Sequence, residues 1–125
     1  MLRNYKELTA WQRAYGLCLE VYRLTAEFPK EEKYGLVSQI RRAAVSVPSN
    51  IAEGYGRRTT GEYLQSLHVA YASLCELETQ VLLVSDLGFL KLEPSRKLKE
   101  DVGDVERLLK ALIRSLEQKR SAPEH

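Results

Sequence analysis

The sequence predicts an all-α fold, an antiparallel up-and-down bundle of four helices. Three observations carry that expectation. Apolar residues recur at alternating spacings of three and four along four separate segments, the period of a helix lying in a bundle seam. No segment shows sustained two-residue alternation, so no strand is expected. Glycine and proline are scarce, 7 and 4 residues in a chain of 125, which favours helix over sheet.

The first segment runs from Thr9 to Glu27, with Ala10, Ala14, Leu17, Val21, Leu24 and Phe28 as its seam. Leu8, Trp11, Tyr15, Cys18 and Tyr22 form a second stripe beside it. The helix stops before Pro29, because the residue preceding a proline avoids the α region. The second segment runs from Leu36 to Gly56, with Val37, Ile40, Ala44, Val47 and Ile51 as its stripe and Pro48 in its middle. An interior proline removes one hydrogen bond and clashes with the carbonyl four residues back, costing about 3 kcal/mol. One alternative ends the helix there and restarts it at Asn50, with Glu53 as capping partner. The stripe keeps its phase from Ala44 through Val47 to Ile51, which favours a single helix kinked at Pro48.

The third segment starts at Thr59 or Thr60, both good N-caps, with Glu62 in the first turn. Leu67, Ala70, Leu74, Leu77, Val81 and Val84 make its seam, Leu64, Tyr71, Cys75 and Leu82 a second stripe, and Gly88 fits the C′ position. The fourth starts near Pro94, read as an N1 residue, and steps through Leu98, Val102, Val105, Leu109, Leu112 and Leu116. Short polar connections between amphipathic helices mean an antiparallel bundle. A single domain is expected over residues 1–120, with a disordered tail over 121–125.

Composition excludes several classes. At 44% hydrophobic and 29% charged, with mean hydropathy −0.35, the chain is neither disordered nor fibrous. No apolar run approaches the roughly 20 residues that span a bilayer. The segment Met1 to Arg13 lacks an apolar signal core, so a cytoplasmic location and reduced thiols are expected. A net charge of +2 is too mild by itself to imply a polyanion partner. Its distribution is more informative. Residues 36–58 carry Arg41, Arg42, Arg57 and Arg58 against Glu53 alone, whereas residues 59–90 contain Glu62, Glu76, Glu78 and Asp86 and no lysine or arginine.

The central run is distinctive: Tyr34-Gly35-Leu36, Gln39, Arg41-Arg42-Ala43-Ala44, Ser46-Val47-Pro48, then Asn50-Ile51-Ala52-Glu53-Gly54. With it come Trp11-Gln12 and Ala14, Val21-Tyr22, Phe28-Pro29, and Ser73 with Glu76-Leu77-Glu78. Together they resemble the four-helix-bundle family encoded in intervening sequences of bacterial 23S ribosomal RNA genes, across residues 5–118. That family is similar in fold to the accessory variability proteins of diversity-generating retroelements. Those form a barrel-like pentamer that binds nucleic acid and a reverse transcriptase. The resemblance implies a bundle, a closed ring that is a pentamer, and an RNA-linked role with a reverse-transcriptase-like or ribosomal partner. It implies no catalytic residues.

Gln39, Arg42, Ser46, Asn50, Glu53 and Arg57 follow helical spacing and form one polar stripe on the second helix. Serine and asparagine are poor interior helix formers, so a bare solvated face does not call for them. The stripe has three candidate uses: bonding a neighbouring subunit, holding the bend at Pro48, or contacting phosphate. Glu53 between the arginines favours a structural or interface use, and the same holds for Gly54 within the motif. Arg41, Arg42, Arg57 and Arg58 are the polyanion candidates, against surface charge paired with acids of the third helix. Trp11, Tyr15 and Tyr22 on the first helix, and Leu64, Tyr71, Cys75 and Leu82 on the third, are apolar surface beyond what a lone bundle buries. Such surplus marks an interface.

Cys18 and Cys75 are expected to behave as small core residues. His68 has no ligand partner at metal spacing, so no metal is expected. Glu76 and Glu78 point to different helix sides, which makes ion pairing with a basic neighbour helix the expectation rather than a catalytic dyad. No phosphate loop, nucleophile elbow or repeated Glu-x-x-His set is present. The resulting expectation is a non-enzymatic homo-oligomeric scaffold, without cofactor or small-molecule substrate and with no membrane partner. It reaches RNA or a nucleic-acid-processing protein through a basic face. A protein–protein adaptor that binds no nucleic acid is the alternative.

Overall fold

The computed structural model describes residues 2–121, with Ser121 as backbone only. Its four helices are α1 (Thr9–Thr25), α2 (Ser38–Tyr55), α3 (Thr60–Asp86) and α4 (Leu92–Ser121), with no strand among the described residues. A short 3-10 turn, Tyr5–Glu7, leads into α1. The Asn4 side chain accepts from the Lys6 amide at 2.8 Å and the Glu7 carboxylate accepts from the Asn4 amide at 3.3 Å, so both ends of the turn are tied.

α1 ends at Thr25, two residues short of the expected Glu27, because the Phe28 amide turns back onto the Thr25 carbonyl at 3.1 Å. That turn buries Phe28 against Phe89, with ring centroids 5.5 Å apart. A 3-10 turn (Lys30–Glu32) and a π-helical turn (Lys33–Val37) follow, so regular α2 begins at Ser38 rather than Leu36. α2 then runs unbroken through Pro48 to Tyr55. The alternative break before Asn50 does not occur.

α3 is capped as its sequence requires. The Thr59 hydroxyl accepts from the Glu62 amide at 3.1 Å. At the other end Gly88 adopts φ +79°, with its amide on Ser85 and the Phe89 amide on Val84, the paired bonds of a Schellman motif. α4 begins at Leu92, so Pro94 is its third residue rather than its first. The first-turn amides have no partner within the helix, and proline is tolerated there too. α4 continues to Ser121; residues 122–125 of the expected tail lie outside the described residues.

Each helix packs antiparallel against its neighbours. On α2–α3, Ser46 meets Ser73 while Gly54 meets Ser66. On α3–α4, Ser85 bonds Ser95 while Gly61 lies against Arg120. On α1–α4, Arg13 pairs with Asp104 at 2.7 Å. α1 and α3 each pack on α2 and α4, which places α1 and α3 at opposite corners. Ile40, Val47, Ile51, Leu67, Leu74, Leu77, Val81, Leu98 and Leu109 fill the centre at 1% exposure or less, save Leu98 at 2%.

The seams hold, with local corrections. Leu24, Leu112 and Leu116 are only partly buried, and Ile113 takes the core position late in α4. Cys75 is exposed and Cys18 half-buried, so neither is the small core residue expected of it. Both fall on the stripe next to the seam, which the bundle leaves at its edge. Among the described residues no helix is long and apolar enough to cross a membrane.

Candidate functional site

The polar stripe of α2 faces the α2–α3 junction and lines an open groove of about 1150 Å3. Ser46 and Asn50 are spent within the chain. The Ser46 hydroxyl lies 2.7 Å from that of Ser73 on α3. Asn50 Nδ2 donates to the Ser46 carbonyl at 2.8 Å and to its hydroxyl at 3.0 Å. The Asn50 amide therefore spans Pro48, tying the carbonyl before the proline to the turn after it. Sequence spacing leaves a role at the proline as one of three uses of the stripe and does not give the α3 partner. Ser73 was visible only as part of the family pattern, because nothing local says which helix meets α2.

Gly54 is buried for a specific reason. A Cβ there would stand 2.9 Å from both Ser66 Cβ and Tyr63 Cδ1, so the α2–α3 approach at this level requires glycine. Tyr63 packs edge-on to Tyr55 with centroids 6.2 Å apart. Burial, with the Tyr55 hydroxyl nearby, pushes the Tyr63 phenol up to about 12.

The four candidate arginines do not form one patch. Arg41 Nε donates to Thr25 Oγ1 at 2.8 Å, and its Nη2 to the Tyr22 carbonyl at 3.2 Å. Its guanidinium sits 4.5 Å from the Tyr22 ring centroid. Arg41 thus caps the C-terminus of α1 and stacks on a tyrosine, at the edge of the groove that Arg42 also lines. Arg42 is exposed on the groove with Gln39. Arg57 and Arg58 lie beyond the end of α2, more than three turns or about 20 Å along the axis from Arg42.

Among the described residues none of the four arginines makes an ion pair, nor do Glu76 and Glu78. The expected pairing of α3 acids with a basic neighbour is therefore absent. Glu76 instead accepts from Gln80 Nε2 at 3.3 Å. Buried Gln80 keeps its Oε1 without a partner among the described residues. Glu53 and Glu76 line the same groove as Arg42, and Glu53 and Glu62 a smaller one with Arg57, so this side of the bundle is mixed in charge.

The surplus apolar stripes sort by depth. Trp11 is partly buried, stacked on Tyr15 at 5.0 Å and edge-on to Tyr5 at 5.2 Å. Tyr15, Leu19 and Tyr22 are 48%, 56% and 42% exposed, and Val45 of α2 continues the strip. On α3, Leu64 is core and Tyr71 is covered by Lys110, while Val69, Leu82 and Leu83, and Leu87 just past its end, are exposed. Sequence spacing missed Tyr34, 88% exposed on the π-helical turn at the lip of the groove; its lack of any seam partner was the available signal. No cluster of three or more metal-ligating side chains occurs among the described residues.

These features define a class before they define a family: a short antiparallel four-helix bundle with a polar second helix and apolar flanks. Residues 6–111 match the family described as 23S rRNA-intervening sequence protein, and the chain belongs to that family. Among solved structures it is similar to a protein of unknown function from the S23 ribosomal protein family of Bacteroides thetaiotaomicron VPI-5482. The identity is 19%, the TM-score 0.78, with 84% of this chain and 95% of that one covered. No curated protein matches the chain.

Proposed function

We propose that the chain is a non-enzymatic, self-assembling scaffold of the cytoplasm. Copies close into a ring, a pentamer by the family resemblance, and the ring serves RNA or a nucleic-acid-processing partner through its exposed arginines. The observation that carries this reading is apolar exposure on two separate flanks. Tyr15, Leu19, Tyr22 and Val45 lie on the α1–α2 side, and Leu82, Leu83 and Leu87 on α3 and its C-cap at the opposite corner. Two different sticky surfaces on one molecule suit a head-to-tail contact, and a head-to-tail contact closes into a ring when the rotation permits. A bend at Pro48 would shape the surface that α2 offers to the next copy.

Light scattering on a sizing column tests it. The expected mass is near five times 14.3 kDa, and Leu19→Glu, a charge placed in the exposed strip, is expected to return a smaller species with the helical signal unchanged. A monomer at micromolar concentration overturns the ring. The second reading, an adaptor that binds only protein, draws on Glu53, Glu62 and Glu76 standing among the arginines of the grooves. Salt-sensitive RNA binding separates the two.

A further inference from the structure

The cations of this chain are distributed unevenly with respect to their counter-ions. All seven ion pairs among the described residues lie within α1, within α4 or between them. None involves the bundle end where α2 stops and α3 starts. Three chain segments far apart in sequence converge there. The Tyr55 hydroxyl donates to the Leu2 carbonyl at 3.2 Å, which brings the N-terminal segment with Arg3 and Lys6 to the end of α2. Arg57 and Arg58 form the α2–α3 connection itself. The guanidinium of Arg120 lies over Gly61 in the first turn of α3, within 3.1–3.4 Å of where a Cβ would stand, and Lys119 precedes it.

All six cations are exposed. Four acids lie nearby: Glu7 accepts from the Arg3 and Asn4 amides, Glu62 accepts from the Thr59 hydroxyl, Glu53 lines a groove with Arg57 and Glu117 one with Arg120, so the six cations outnumber them. Of the exposed large apolar residues Leu2 and Val69 are found at this end, Val69 in the groove with Arg57, whereas protein interfaces are built around a continuous apolar centre. Four of the six are arginines, whose planar forks match phosphate oxygens.

We propose that this end of the bundle, rather than the α2 groove, is a docking platform for the phosphate backbone of a nucleic acid. The inference rests on the RNA-linked reading above and moves its contact surface. Arg3, Lys6, Arg57, Arg58, Lys119 and Arg120 act together, and Arg42 stands outside the set. No side chain here is arranged to read base edges, so binding is indifferent to sequence. In a ring the platforms repeat, and affinity grows with nucleic-acid length until several subunits are engaged.

The test is fluorescence anisotropy of a labelled RNA duplex, and a DNA duplex of equal length, across about 50 to 200 mM salt. The proteins are wild type, Arg57→Gln/Arg58→Gln, Lys119→Gln/Arg120→Gln and Arg42→Gln, each checked for mass and thermal midpoint. Both double variants are expected to weaken binding and to lower the salt slope by about two per subunit engaged, with Arg42→Gln unchanged. If Arg42→Gln weakens binding while Lys119→Gln/Arg120→Gln does not, the platform is wrong and the RNA-linked reading survives. Wild type that binds neither duplex at low salt overturns both. Competition by polyglutamate as strong as by RNA overturns the platform in favour of an acidic protein partner. A lowered thermal midpoint with an unchanged slope for Lys119→Gln/Arg120→Gln assigns those residues to the α4 dipole alone and also overturns it.

Discussion

Gly54 is the residue on which the α2–α3 contact depends. Its hydrogen sits where a methyl group would meet Ser66 Cβ and Tyr63 Cδ1 at 2.9 Å, and the Tyr63 carbonyl at 3.2 Å. Two of those atoms are fixed to the α3 backbone or are part of it, so relief requires the helices to separate rather than a side chain to swing. Gly54→Ala is expected to destabilise the bundle by about 1–3 kcal/mol, the usual range for overpacking. Urea denaturation monitored by circular dichroism measures it, and an unchanged midpoint would show that the helices shift apart freely. Arg41 belongs at this scale as well. In the sequence it reads as a polyanion candidate or a paired surface charge, and its bonds to Thr25 and Tyr22 at the end of α1 lie across a turn that spacing does not describe.

Pro48 sets the question at the scale of the element. It removes one amide from the ladder, and the carbonyl of Ala44 loses its partner. Yet α2 is continuous, and Pro48 is buried with Val47 and Ile51 in the face that meets the core. The phase of the apolar stripe outweighs a local penalty of about 3 kcal/mol, because breaking the helix would expose that face. Pro48→Ala is expected to keep the helical signal, and to weaken assembly if Pro48 bends α2 at the subunit contact. Circular dichroism and light scattering on the same sample read both. A large loss of helicity would mean that α2 depends on the proline.

At the scale of the whole molecule, charge and protonation follow the bundle rather than the chain. Among the described residues the paired cations lie along α1 and α4, and six of the unpaired ones, Arg3, Lys6, Arg57, Arg58, Lys119 and Arg120, gather where α2 ends. Tyr63 is half-buried beside that end, with its phenol held protonated up to about 12. Its unfolded counterpart ionises near 10, so the folded state binds the proton more tightly. The stability it contributes is complete below about 10 and is lost as pH rises toward about 12. Denaturation midpoints across that window are expected to fall in wild type, and less steeply in Tyr63→Phe. Parallel curves would assign the alkaline loss to other groups.

The sequence by itself determined four helices, their order, most of their seams, a threonine cap at Thr59 or Thr60 and the cap at Gly88. These are local or periodic properties: a cap is decided within one turn, and a seam by spacing along one helix. Helix starts before α2 and α4 slipped by two residues, because a π-helical turn and a proline in the first turn both satisfy the same spacing. Only the tertiary structure decided what each side chain meets. Ser46 finds Ser73, Arg41 finds the end of α1, Cys75 stays at the surface, and Arg3, Arg58 and Arg120 come to one end. Those are meetings between segments far apart in the chain. Their register is fixed by the burial of whole faces, which periodicity within one segment does not encode.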